Sequence, residues 1–483
     1  MACKGRHTPL GFKIQKEEIQ MRNLKRALSL ALAAIMLIGM MVVSASAAGF
    51  DDFSDKDEIV NKDAVSMLTI LGVINGKEDG SFFDPAGNVT RAEMAKMIAT
   101  VLNQGADVDG LYVGMNTGLT DVKGHWAESY INYCYSLGII AGRGNGKFDP
   151  SATVTALEAA KMLLVAVGYD PAIEGFEGAD WAINVSVRAD EQGIFEGFTK
   201  DLSAPLNRDD AALLIYNALD VEMIQSYTTN NYPIAYSDHR TILADKYGVI
   251  KVQGVVVANE WASLASDDGD AALKEGKTTI YNGEGIFSTT GNTTVSKEDA
   301  SLKTQTFNVS TPVDMLGKTV NLYIKKTTIL ADSTVYGDPV VSDVNTVVTT
   351  GETVLYSGAK DPQVDYDKLL GENGLTDKDA KYFWNYNSGK YIPNTTEKYG
   401  DKTANVKGAT LTIIDNNGDG EVDYVLSVEK ALADITSVNS KKETVTVRTL
   451  GTLDNKDVVG YEDMAKEDVV LYVQYGGRTY LEK

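Results

Sequence analysis

The most continuous apolar pattern in this chain lies near its beginning. Ala27 to Val43 holds only apolar or small residues, and Met21-Arg22-Asn23-Leu24-Lys25-Arg26 before it supplies a basic cluster. Ala45-Ser46-Ala47 follows with a small-x-small spacing. A basic segment, an apolar segment and a cleavage pattern in that order predict a secretory signal peptide over 21–47. The apolar run is shorter than the ~20 residues a membrane-crossing helix needs. Residues 1–20 place Lys16-Glu17-Glu18 ahead of the basic cluster, which suits no signal peptide, so a start at Met21 with an untranslated upstream extension is expected. No later stretch is apolar enough to span a bilayer, and no transmembrane segment is expected once the signal is removed.

Helical periodicity then recurs with a fixed spacing. Asn75-Gly76-Lys77-Glu78-Asp79-Gly80-Ser81-Phe82 leads to Asp84-Pro85 and Val89-Thr90-Arg91-Ala92-Glu93-Met94-Ala95-Lys96-Met97. Gly142-Arg143-Gly144-Asn145-Gly146-Lys147-Phe148-Asp149-Pro150 leads to Val154-Thr155-Ala156-Leu157-Glu158-Ala159-Ala160-Lys161-Met162. Pro85 and Pro150 are 65 residues apart, as are Glu93 and Glu158. A third, worn copy has Trp181-Ala182, Gly193-Ile194-Phe195-Glu196-Gly197 and Leu206-Asn207-Arg208-Asp209-Asp210.

Each copy predicts helix, loop, helix. Trp126, Ile131 and Leu137 form an apolar stripe that Gly138 ends, and Gly-x-Gly and Asp-Pro punctuation builds the loop. Thr90 with Glu93, and Thr155 with Glu158, have the spacing of a capping box, in which each residue satisfies a backbone N–H of the other. A pair of short helices cannot bury its apolar face alone, so the copies are expected to pack on one another. After about Val221 the texture changes to Thr, Val, Tyr, Asn and Gly. Runs such as 251–257, 319–324 and 444–448 predict short strands in sandwich- or barrel-like modules.

The predicted fold class is therefore α+β multidomain, an N-terminal α-helical bundle followed by all-β modules. The boundaries are 50–104, 118–170 and 176–222 for the repeats, 223–240 for a linker, 241–335 and 336–432 for two β modules. A further module is expected from 433 to 483, the last of them cut short.

Charge and rare residues narrow the function. Forty-five basic against 67 acidic residues give a formal charge of −22, and losing seven basic and two acidic residues with 1–47 takes this to −27. So acidic a chain excludes general nucleic-acid binding, which needs clustered cations. Three scattered histidines and two cysteines exclude a His- or Cys-ligated catalytic metal. Only Cys134 remains after signal removal; it lies on a predicted helix and is expected to act as a small buried hydrophobe. No Gly-x-Ser-x-Gly elbow, His-Glu-x-x-His or phosphate loop is present, so no catalytic residue is expected.

Leu119-Thr120-Asp121-Val122-Lys123-Gly124-His125-Trp126-Ala127, Gly138-Ile139-Ile140-Ala141-Gly142, the Gly-x-Phe-x-Pro loop and Val89-Thr90-Arg91-Ala92-Glu93 together resemble the S-layer homology domain. Three copies span about Phe50 to Asp220. The resemblance implies a pseudo-threefold bundle that binds secondary cell-wall polymer of Gram-positive-type envelopes, often through pyruvylated sugars, in grooves between repeats. It places Arg91 and Arg208 on the motif arginine, Glu93 and Glu158 on its glutamate, Trp126 and Trp181 on its tryptophan, and Asp121 on its opening aspartate. A planar guanidinium suits a pyruvyl carboxylate, and an indole suits a sugar face.

The copies are unequal. The first has Glu58-Ile59-Val60 where a tryptophan is expected, and the second has Ala156 where an arginine is expected. Arg91 with Asp121 and Trp126 is accordingly the leading candidate groove. The resemblance further implies a secreted protein of the cell wall, with self-assembly into a lattice as a candidate role. The alternative is a surface-anchored enzyme or adhesin acting on polysaccharide.

One motif stands apart. Asp415, Asn417, Asp419, Glu421 and Asp423 surround Gly418 and Gly420 with the oxygen spacing of the first part of a calcium loop, but Leu426 occupies the position of its closing glutamate. Strand-like residues flank it on both sides. Structural calcium at the tip of a hairpin is one expectation, and a metal-free polar turn is the other.

Overall fold

The computed structural model describes residues 50–483 apart from 78–79, 265–271, 287–301, 326–329, 351–362, 365, 389–403 and 406–408. The signal peptide and the upstream extension lie outside the described residues.

Among the described residues, six α-helices build the N-terminal region: α1 (Lys62–Ile70), α2 (Arg91–Leu102), α3 (Glu128–Ser136), α4 (Ala156–Ala166), α5 (Trp181–Glu191) and α6 (Arg208–Leu219). Both predicted capping boxes form. Thr90 and Thr155 accept the N3 backbone N–H through their hydroxyls, and Glu93 and Glu158 return the bond to the cap backbone. In the third unit Asn207 accepts from Asp210 N over 2.7 Å.

The segments entering α2, α4 and α6 close on one another in a ring. Val89 N donates to Leu206 O (2.8 Å), Leu206 N to Val154 O (2.8 Å), and Val154 N to Val89 O (3.0 Å). All three side chains are buried. This cycle fixes a pseudo-threefold axis and uses polar groups that would otherwise be buried without partners. α2, α4 and α6 surround the axis, and the outer helices fill the seams: α3 packs on α2, α5 on α4, and α1 on α6.

Residues 223–240, expected to be a linker, include an antiparallel hairpin, Ile224–Tyr227 with Pro233–Ala235. Ile224 N donates to Val167 O over 2.8 Å, which holds the hairpin to the bundle.

The C-terminal region is built on sheets. The first has five antiparallel strands in the order Thr304–Phe307, Thr278–Tyr281, Val249–Ala258, Thr319–Lys325, Thr334–Val341. The second runs Asn387–Ser388, Lys381–Trp384, Tyr424–Glu429, Ala409–Asp415, Thr346–Thr349, with Lys381–Trp384 parallel to its neighbour Tyr424–Glu429.

Alternation along the second sheet gives it two apolar faces. Phe383, Ile414, Tyr424 and Leu426 join the core of the first sheet, whereas Trp384, Ile413 and Val425 pack with Tyr366 and Leu370 of α7 (Tyr366–Glu372). The sandwich-like packing thus arises between the first two sheets. From Ala431 onwards a six-stranded sheet surrounds its own core of Ile435, Val445, Val447 and Val470.

Candidate binding grooves between the repeats

Each motif arginine is reached through a capped helix start and then crosses to the next unit's loop. Arg91 opens α2, and its Nε donates to Phe148 O (2.9 Å) while Nη2 donates to Ala141 O (3.3 Å). Its guanidinium carbon lies 4.5 Å from the Phe148 ring centroid. Arg208, at the start of α6, repeats this on the first unit: Nε donates to Phe83 O (2.7 Å), and the ring of Phe83 is 5.0 Å away. Arg91 is only 5% exposed. An arginine just after an N-cap opposes the helix dipole, but these carbonyls and rings compensate it. Burial pushes both guanidinium pKa values down from the ordinary range.

The loops that receive these arginines are shaped by the opening aspartates. Asp121 accepts from Phe148 N (2.9 Å) and Asp149 N (2.8 Å), and Asp55 accepts from Phe83 N and Asp84 N in the same way. These bonds hold Asp149 and Asp84 in the left-handed region, at φ of 56° and 60°. Asp121 is therefore a loop-shaping residue and is absent from the lining of either groove described below.

Two grooves of the same composition follow. The first, about 400 Å³, brings Arg91 together with Ala141 to Arg143, Glu158, Lys161, Met162 and Trp181. The second, about 220 Å³, brings Arg208 together with Asn75 to Lys77, Glu93, Lys96, Met97 and Trp126. Each draws its arginine from one unit, its loop and glutamate from the next, and its tryptophan from the one after. This corrects the expected grouping of Arg91 with Asp121 and Trp126: the cyclic packing moves Trp126 to Arg208 and gives Arg91 Trp181.

The grooves are cationic within an acidic chain. Glu158 accepts from Arg143 Nη2 at 2.7 Å and lies 3.6 Å from Arg91 Nη1. Lys161 Nζ stands 5.8 Å from the Trp181 ring, and Lys96 Nζ stands 5.3 Å from the Tyr130 ring. Burial lowers the pKa of Lys161. Trp126 is 54% exposed, which removes it from the core, while Trp181 packs partly against it. His125 Nδ1 accepts from Ala127 N (3.1 Å), a capping role. Cys134 is fully buried, donates to Ala95 O, and its thiol is pushed up to about 12.

The residues missing from the sequence-based set are Lys96, Lys161 and Arg143. A signal for the two lysines was present, because Glu-x-x-Lys-Met recurs as Glu93 to Met97 and Glu158 to Met162 and becomes Asp210 to Leu214 in the third unit.

At the acidic turn, Asp415 accepts from Asn417, Gly418 and Gly420 N–H groups, and Asp423 accepts from Asn416 N. Glu421 pairs with Lys378. Among the described residues no three acidic, histidine or cysteine side chains converge as a ligand set. The carboxylates of the turn accept hydrogen bonds from its own backbone, and Glu421 pairs with a lysine. No described helix is long and apolar enough to cross a membrane.

The S-layer homology domain model matches residues 52–95 and 118–160, which cover the first two units; the match does not extend to the third. A "Cell surface protein" of Thermoanaerobacter kivui is 29% identical over 56% of this chain and 32% of its own length. A "Surface-layer 125 kDa protein" of Lysinibacillus sphaericus is 25% identical over 79% of this chain and 30% of its own length. "Exoglucanase XynX" of Acetivibrio thermocellus is 30% identical over 35% of this chain and 16% of its own length. The chain spans about a third or less of these curated relatives. Residues 52–95 and 118–160 are S-layer homology repeats, and with the surface-layer relatives they indicate a cell-wall or S-layer location.

Proposed function

We propose that this chain is a surface protein held without covalent bonds to a secondary cell-wall polymer, and that the Arg91 and Arg208 grooves are its binding sites. The observation that carries this reading is the twofold recurrence of one side-chain set, Arg, Lys, Glu and Trp, assembled from three different units each time. In each groove a lysine beside a guanidinium provides the charge for a ketal carboxylate such as a pyruvylated sugar presents, and an indole provides the flat apolar face for the ring. The net acidity of the chain repels an anionic polymer at long range, so affinity rests on these placed groups.

The third seam is not a binding groove in this reading. Ala156 stands where the arginine would be, Leu213 where the lysine would be, and Val60 where the tryptophan would be. The β sheets extend the chain from the anchor as part of a surface layer, and the chain is not an enzyme. Co-sedimentation of the chain with purified wall sacculi, and with sacculi stripped of secondary polymer, tests the proposal. Retention on the first and loss from the second is the expected result.

A further inference from the structure

The seam between the third and first units differs from the other two in what covers it. Its walls are the loop 193–198, helix α6 and helix α1, the counterparts of the walls of the two grooves. Within it, a Cβ on Gly197 would stand 3.7 Å from Leu213, and Asn217 donates to the carbonyls of Ile194 (3.1 Å) and Glu196 (2.9 Å). At the matching helix positions of the other two seams, Lys96 and Lys161 line the grooves, whereas here Leu213 packs beside the loop of its own unit.

The first β sheet touches two of these walls, and a residue just after its last strand reaches the third. On α6, Tyr216 Oη lies 3.0 Å from Tyr323 Oη, and Tyr323 donates to Asp220 Oδ2 over 2.9 Å. Lys251 Nζ is 3.1 Å from the same carboxylate. On α1, a Cβ on Gly337 would stand 3.9 Å from Ile70 Cδ1 and 4.0 Å from Met67 Cε. On the loop, the Glu196 carboxyl faces that of Asp343, two residues beyond the end of the last strand. Val249 and Tyr323 of the sheet, with Ile242 and Leu243 before it, belong to the same hydrophobic core as the bundle. Just before the sheet, Tyr247 Oη donates to Val101 O of α2 over 3.1 Å.

We infer that the third seam is the seat of the first β sheet, so that the helical bundle, the hairpin after it and the five strands of that sheet form one rigid anchoring unit. The stripe Leu213, Tyr216, Asn217 and Asp220 runs along one face of α6 at helical spacing. Its counterparts on α2 and α4 begin with Lys96 and Lys161, which line grooves. One helix face thus serves ligand in two units and the chain's own sheet in the third. This fixes the direction in which the β sheets leave the anchor, and it stands whether or not the grooves bind a wall polymer.

Hydrogen–deuterium exchange on the full chain tests it, with Tyr323→Phe combined with Asp220→Asn to remove the buried bridge. The expected result is faster exchange, by about tenfold or more, in α6 and α1 together with strand 319–325. Faster exchange confined to strand 319–325, with α6 and α1 unchanged, would overturn the inference. A second measurement needs no variant. As denaturant rises, α6 and strand 319–325 of the native chain should lose protection at one common concentration, and separate losses would refute a single unit.

Discussion

Replacing Arg91 by alanine separates two roles that this residue combines. The substitution removes two charged hydrogen bonds, to Phe148 O and Ala141 O, and the packing of the guanidinium on the Phe148 ring. A hydrogen bond to a charged group contributes roughly 1.5–3 kcal/mol, and a ring contact about 0.5–2 kcal/mol. The desolvation that lowers the Arg91 pKa offsets part of this. The net loss is therefore on the order of 2–4 kcal/mol. At roughly 2–4 °C per kcal/mol for a unit of this size, the helical transition followed by far-UV circular dichroism should fall by about 5–15 °C. Arg91→Lys should recover little, because an ammonium cannot reach both carbonyls in the planar fork. A melting temperature within about 1 °C of the native chain would refute this clamp. Lys161→Ala supplies the contrast: Lys161 lines the same groove yet makes no such bridge, so it should weaken polymer binding by ~10–100-fold with the melt unchanged.

Further outcomes follow from the same structure. Trp126→Ala should impair the Arg208 groove and spare the Arg91 groove, so that with Lys161→Ala it removes binding while Trp126→Ala with Lys96→Ala leaves the other groove intact, as titration with a polymer fragment would show. Glu196→Gln should raise the melting temperature at neutral pH and leave it unchanged in acid. Burial and Asp343 push the Glu196 carboxyl pKa up, so it binds its proton more tightly folded than unfolded. The stability this confers is present in acid and is lost as pH rises through the folded-state pKa. At the acidic turn, adding Ca²⁺ or a chelator should leave the melt unchanged, since the turn is held by its own hydrogen bonds. A calcium-dependent rise that Asp419→Ala removes would contradict that.

Local features of this fold were readable from the chain alone. The capping boxes at Thr90 and Thr155 depend on residues three apart, and the Asp-Pro loops on their immediate neighbours, so spacing was enough to predict them. The pairing of arginine with tryptophan was not readable, because it depends on the cyclic order in which three similar units pack. Arg91 meets Trp181 only because α5 fills the seam beside α4. Lys96 and Lys161 were visible as a repeated Glu-x-x-Lys-Met but resembled ordinary solvated helix positions until the seam closed around them. The hairpin at 224–235 carries turn-rich composition, and nothing in that composition announces its bonds to Val167, Asp170 and Glu174 of the bundle. Likewise nothing local in Tyr323 announces a partner more than 100 residues away in Tyr216.

The two-groove account meets its most direct test in one comparison. Full chain carrying Lys96→Ala and Lys161→Ala together should remain folded by circular dichroism yet stay in the supernatant when purified wall sacculi are sedimented, while the native chain goes to the pellet. Pelleting of the double variant to the same extent as the native chain, from the same concentration, would contradict the assignment of wall binding to these grooves.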